Sequence, residues 1–140
     1  MLLSEIAYCY SVVPILYQKN SRDNYSLMPW YDVKLYAGDR LIVLATSSSL
    51  QRIEWGEMLP RQWSVQIEKA LTTNAIMYGA EEIVLITGCS SVTARQWMNN
   101  LPRVLPIPLY KHQAQRLVRE LTKIQVLANV IFIGQDNSSN

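Results

Sequence analysis

Apolar and polar positions along this chain follow two rhythms, one helical and one extended. Leu3, Ile6, Ala7 and Tyr10 recur at helical spacing, which predicts a short amphipathic helix over 2–10. "VVPILYQ" (12–18) is a β-rich run. Pro14 within it has no backbone donor, so it marks an edge position or a local irregularity. "KNSRDNYS" (19–26) carries no apolar rhythm and reads as a loop. Ala37-Gly38-Asp39 then predicts a tight turn, because glycine tolerates positive φ and the Asp side chain can accept from nearby backbone N–H groups. "RLIVLAT" (40–46) does not alternate, which predicts a strand buried on both faces. Ser48, with Gln51 three residues on, has the pattern of a capping box. It starts a short helix over Leu50 and Ile53 that Gly56 can end.

After "GEMLPRQ" the pattern restarts. Trp63, Val65 and Ile67 alternate with Ser64, Gln66 and Glu68, as in a half-buried strand. Ile76, Ala80, Ile83 and Thr87 mark one face of a helix over 73–87, and Gly88 stops it. Ser90 or Ser91 caps a further helix whose stripe is Ala94, Trp97, Met98 and Leu101, ended by Pro102. "VLPIPL" is extended around Pro106 and Pro108. Ala114, Leu117, Val118 and Leu121 repeat the helical stripe over 110–124, and "VLANVIFI" (126–133) is a closing strand. The element orders, α-β-loop-β-α and then β-α-α-(β)-α-β, define two α+β units. Each is a small α/β sandwich, over 1–57 and 63–134, with a linker at 58–62 and a polar tail at 135–140.

Composition changes this picture little. The chain has 140 residues, 49% of them hydrophobic and 17% charged, which is enough apolar material for a fold. The net charge of +2 is too small to indicate nucleic acid by itself. Its distribution is uneven: residues 1–60 carry five Lys/Arg against six Asp/Glu, and residues 61–140 carry eight against five. Cys9 and Cys89 lie in different halves and His112 is the one histidine, too few ligands for a zinc site. Both cysteines read as buried, reduced thiols of a cytosolic protein. No apolar run approaches a membrane span, and the N-terminal stretch lacks the basic region of a signal peptide.

"SVVPILYQKN…WYDVKLYAGDRLIVLATSSSLQRIE" resembles the C-terminal subdomain of the regulator-of-potassium-conductance family, also called TrkA-C. The shared features are a strand, a loop, a Leu-x-x-Gly-Asp turn at Leu35, Gly38 and Asp39, and an apolar strand and short helix after it. The resemblance covers about residues 1–57, and its family usually has a further strand before the first helix. The expectation is therefore an N-terminally truncated unit and a fragment of a longer chain. The resemblance implies a cytosolic regulatory role beside a potassium channel or uptake protein, with the pore upstream or in a separate subunit. It also implies a homodimer and a small anionic ligand, such as a nucleotide, near the first strand and its loop. The corresponding residues here are Val12, Val13, Lys19 and Arg22. A unit of about 57 residues buries only ~60% of its surface, which also favours a dimer.

The second unit resembles the C-terminal domain of the large-subunit ribosomal stalk protein at Glu82, Ile86, Thr87-Gly88, Ala94, Pro102, Lys111, Ala114, Leu121 and the closing strand. That implies three helices on a three-stranded antiparallel sheet. Val92 stands where the family's factor-binding surface has a lysine, so the scaffold is expected without the translation-factor site. Arg95, Arg116 and Arg119 are the candidate partner-binding residues. The alternative function is a nucleic-acid- or protein-binding module built on this basic unit. Nucleic acid is the weaker expectation, because the helix-turn-helix-like "TGCSSVTARQWMNNLP" places Ala94, Trp97 and Met98 as core. There is no Gly-x-Ser-x-Gly, phosphate-cradling loop or His–carboxylate cluster, so no catalysis, cofactor or metal is expected. Glu81 and Glu82 point ~100° apart on a helix and cannot act as a pair.

Overall fold

The computed structural model describes residues 1–20 and 23–134. Arg22 and the tail at 135–140 lie outside the described residues. The chain divides into two compact units, Met1–Pro60 and Arg61 onward. Each has its own three-stranded antiparallel sheet, so the fold class is α+β.

The first unit runs α1 (Leu3–Cys9), β1 (Val13–Gln18), β2 (Tyr25–Leu27), β3 (Arg40–Leu44) and α2 (Ser47–Trp55), with strand order β2-β1-β3. Its buried apolar residues are Leu3, Ala7, Tyr8, Cys9 and Val12, with Tyr8 edge-on to Tyr31. The chain at 30–35 pairs with the start of the unit: Leu3 N donates to Val33 O and Leu35 N to Met1 O.

Three expectations are corrected here, and the one at Pro14 is met. The stretch 19–26 is not all loop, since β2 begins at Tyr25. Its three residues are all exposed, so no burial pattern announces it. Pro14 sits on the middle strand, but β2 pairs only with Leu16–Gln18, so β1 is locally an edge at Pro14 and has a register shift just after it. The stretch 40–46 is not buried on both faces: β3 is an edge strand whose Arg40, Ile42 and Leu44 are exposed and whose Leu41 and Val43 are half-buried. Finally, α2 is capped by Thr46, whose hydroxyl accepts from Ser49 N, and not by Ser48. Leu50 and Ile53 are exposed, while Ser49 is buried and donates to Ser11 O. Gly56 does end this helix, in the left-handed conformation.

The second unit runs β4 (Trp63–Ala70), α3 (Thr73–Thr87), α4 (Ser91–Asn99), β5 (Arg103–Val104), α5 (Lys111–Lys123) and β6 (Val126–Phe132), with strand order β5-β4-β6. Val65 and Ile67 project from β4 into a core built with Ile83, Ala94, Met98, Leu117, Leu121 and Val126. Ser64, on the opposite parity, is also fully buried and donates to Leu105 O at 2.8 Å, which removes the cost of burying its hydroxyl. Gly79 lets α4 come close to α3, since a Cβ there would meet Met98 Cε at 2.6 Å. Gly88 takes φ +74 at the C-terminus of α3. Cys89 after it is half-buried, so only Cys9 is a buried thiol.

Ser90 is the cap of α4, its Oγ accepting from Thr93 N at 3.1 Å. Ser90→Ala is expected to cost about 0.5–2 kcal/mol of second-unit stability by orphaning that donor. Ser91→Ala, already inside the helix, is expected to be near neutral. Urea unfolding of the two variants checks the assignment.

Candidate functional site

A densely bonded polar group of the first unit is the Asp39 carboxylate. Gly38 takes φ +91 and reverses the chain. The reversal presents Asp39 to three donors, one from its own turn and two from the end of β1 and the loop after it: Tyr36 N at 2.9 Å and Tyr17 Oη at 3.0 Å on Oδ2, and Asn20 N at 3.1 Å on Oδ1. The carboxylate thus ties the end of β1 and the loop after it to the turn before β3. The Tyr36 and Asn20 N–H groups hold its carboxyl below the ordinary 3.8, and the nearby Lys19 charge acts in the same direction. The Tyr17 phenol moves up, first through desolvation and then through its bond to Asp39.

The folded carboxylate therefore binds a proton less readily than the unfolded one. Its stabilisation is present above the unfolded pKa and is lost as pH falls through the lowered folded value. The first unit is expected to lose stability with acid across that window. Asp39→Asn should lower its midpoint at neutral pH and flatten the acid slope, as read by thermal melts in a pH series.

Beside this turn lies a cleft of about 340 Å³ lined by Met1, Ile6, Leu35, Tyr36, Ala37, Asp39 and Leu41. Its walls are mostly apolar, and its one charged side chain, Asp39, already accepts from three donors. Cations stand near the turn. Lys34 Nζ lies 5.7 Å from the centroid of the Tyr36 ring, and Lys19 is exposed at the end of β1. Among the described residues neither lysine meets a carboxylate within 4 Å.

The four expected ligand residues do not converge. Val12 is buried, its N–H bonded to Ala7 O, and Val13 is exposed at the start of β1. Lys19 follows the far end of the same six-residue strand, roughly 20 Å away at ~3.3 Å per residue. Arg22 lies outside the described residues. Lys19 is therefore the described member of the set that stands by the cleft. Lys34 and Tyr36 were not singled out from sequence. Their signal was their place within and just before the Leu-x-x-Gly-Asp turn, which was read as architecture alone.

In the second unit the expected partner residues fall in two places. Arg95 is exposed and lines an apolar groove of about 320 Å³ between α3 and α4, with Ala80, Glu81, Val84, Leu85 and Ser91. Arg116 and Arg119 belong instead to a charged cluster on α5. Arg119 Nε and Lys123 Nζ reach Glu120 at 3.6 and 2.9 Å. Glu82 faces the same cluster: burial first, and then Glu120, push its carboxyl up, while Arg116 and Lys123 oppose the rise. Glu81 and Glu82 thus diverge, as their spacing requires. Trp63 packs edge-on against Phe132 under Lys111 Nζ, and Trp55 is exposed.

No protein-family model, curated protein or solved structure matches the chain. Among the described residues no group of His, Cys, Asp and Glu is placed to hold a metal ion, and no helix is long and apolar enough to cross a membrane.

Proposed function

We propose that the chain is a non-catalytic, ligand-sensing regulatory fragment of a potassium channel or potassium-uptake protein, acting at the cytosolic face of its membrane partner. In this reading the first unit is a homodimer and takes a small anionic ligand, such as a nucleotide, at the Asp39 turn. The observation that carries the reading is the three-way clamp on Asp39. It couples the segment bearing Lys19 to the turn that bounds the cleft. A phosphate held by Lys19 and Lys34 would meet charge-assisted donors. By binding one arrangement of the clamped loop better than another, it would bias the attached gate.

Thermal melts with ATP and with inorganic phosphate test this. The first unit's transition is expected to rise with nucleotide concentration, by about 2.7 kcal/mol at a hundredfold excess over the dissociation constant. Lys19→Gln/Lys34→Gln should abolish the rise. A transition indifferent to both anions contradicts the proposal.

A second reading, a binding module in the basic second unit, is favoured by the groove at Arg95. Its lining is mostly apolar, which suits a protein partner better than nucleic acid. Fluorescence anisotropy with labelled duplex at two salt levels is expected to stay flat; a salt-dependent, saturable rise would reverse that preference.

A further inference from the structure

The first-unit sheet has one covered face and one open face. The register puts Val13 beside Leu44, and Leu16 between Leu27 and Ile42, on the same side of the sheet. Leu27 is 72% exposed, Leu44 65% and Ile42 59%, while Val13 is also open to solvent. The next row, Tyr25, Gln18 and Arg40, closes the patch with its one charge at the rim. The opposite parity, Pro14, Tyr17, Leu41 and Val43, is buried or half-buried, with Ser26 at its β2 edge exposed. The apolar rows of the open face are therefore uncharged, contiguous and two residues deep along the strands.

We infer that this open sheet face is where the first unit packs against a second copy of itself, sheet on sheet across a two-fold axis. This deepens the dimer proposed above and does not depend on the ligand. Three observations favour a second copy over another partner. The patch has no charge among its apolar residues, so nothing in it selects an oppositely charged surface. An apolar patch of this kind is self-complementary about an axis through its centre, and two such faces can interdigitate at ~10 Å as in a β-sandwich. The area is also right. At their observed exposure these side chains present on the order of 500 Å² per copy. Two copies then bury about 1,000 Å², the threshold of a specific interface. The need is equally visible: among the described residues the unit buries few apolar side chains, Leu3, Ala7, Tyr8, Cys9 and Val12 with Pro14 and Pro29, while its sheet leaves several large ones in water.

The test is sedimentation of the whole chain over a concentration series. The natural sequence is expected to pass from monomer to dimer. Ile42→Asp/Leu44→Asp should raise the dissociation constant roughly tenfold or more. Val92→Asp, a comparably exposed change on α4, should leave it unmoved. If the Asp pair fails to fold by circular dichroism, Ile42→Thr/Leu44→Thr, which keeps strand-compatible side chains, decides with the same expected direction. A natural chain that stays monomeric at high micromolar concentration overturns the inference. So does a dimer that both pairs leave intact, or association only with a different protein. Nucleotide melts on the same variants read the ligand proposal separately: a monomeric variant that still binds ATP leaves that proposal standing, and a dimer that binds none leaves this one standing.

Discussion

Leu121→Ala is expected to destabilise the second unit by about 2–5 kcal/mol and to leave the first unit unchanged. Leu121 is fully buried on α5, in the core it shares with Ile83, Met98 and Leu117. Its side chain also lies near Gly79, where a Cβ would come within 3.6 Å of its Cδ2. Deleting the isobutyl group removes its transfer free energy and leaves a cavity under three helices that cannot all collapse at once. Because the units have separate sheets and separate cores, hydrogen exchange should accelerate in 63–132 and not in 1–60. Exchange that rises equally in both would show one cooperative body.

Gly38→Val is expected to be the most damaging single change at the Asp39 turn, with a loss of about 1–3 kcal/mol in the first unit. Two costs add. A β-branched residue is a poor occupant of φ +91, and its Cβ would approach the Asn20 side chain at 2.7 Å from Cγ. Moving Asn20 aside disturbs the segment whose backbone N–H bonds to Asp39. With so small a buried core the first unit has little stability to lose, so the variant should melt early in that unit alone. Gly38→Asn, a residue that tolerates positive φ better, should retain part of the stability. Equal losses from both would assign the effect to Asn20 crowding rather than to backbone strain.

The second unit was legible because its helices write their burial at helical spacing. Ala94, Trp97 and Met98 are buried on α4, and Ala114, Leu117 and Leu121 on α5, as their stripes predicted. Gly88 and Ser90 punctuate the elements with the chemistry that their geometry requires. The first unit was less legible for a physical reason. An open apolar sheet face and a buried one are written with the same residues, so "RLIVLAT" gave the strand but not its environment. β2 has three exposed residues and no alternation to betray it. The cap of α2 was misplaced by two residues because Thr46 and Ser48 are both competent, and the hydroxyls lie 3.0 Å apart. At the candidate site, the Gly38-Asp39 turn and its acceptance from nearby backbone N–H groups were readable from local sequence. Val13 and Lys19 look close in sequence but lie at opposite ends of β1, because an extended strand separates residues that a helix would bring together.

A ligand bound at the Asp39 turn, as proposed, must perturb the amides around it. A ¹⁵N-labelled sample titrated with ATP, followed by amide chemical shifts, tests it most directly. The account predicts saturable changes clustered at Lys19, Asn20, Lys34, Tyr36 and Asp39, lost in Lys19→Gln/Lys34→Gln while the second unit's amides stay still. Saturable changes confined to the second unit, or none at millimolar nucleotide, would contradict it.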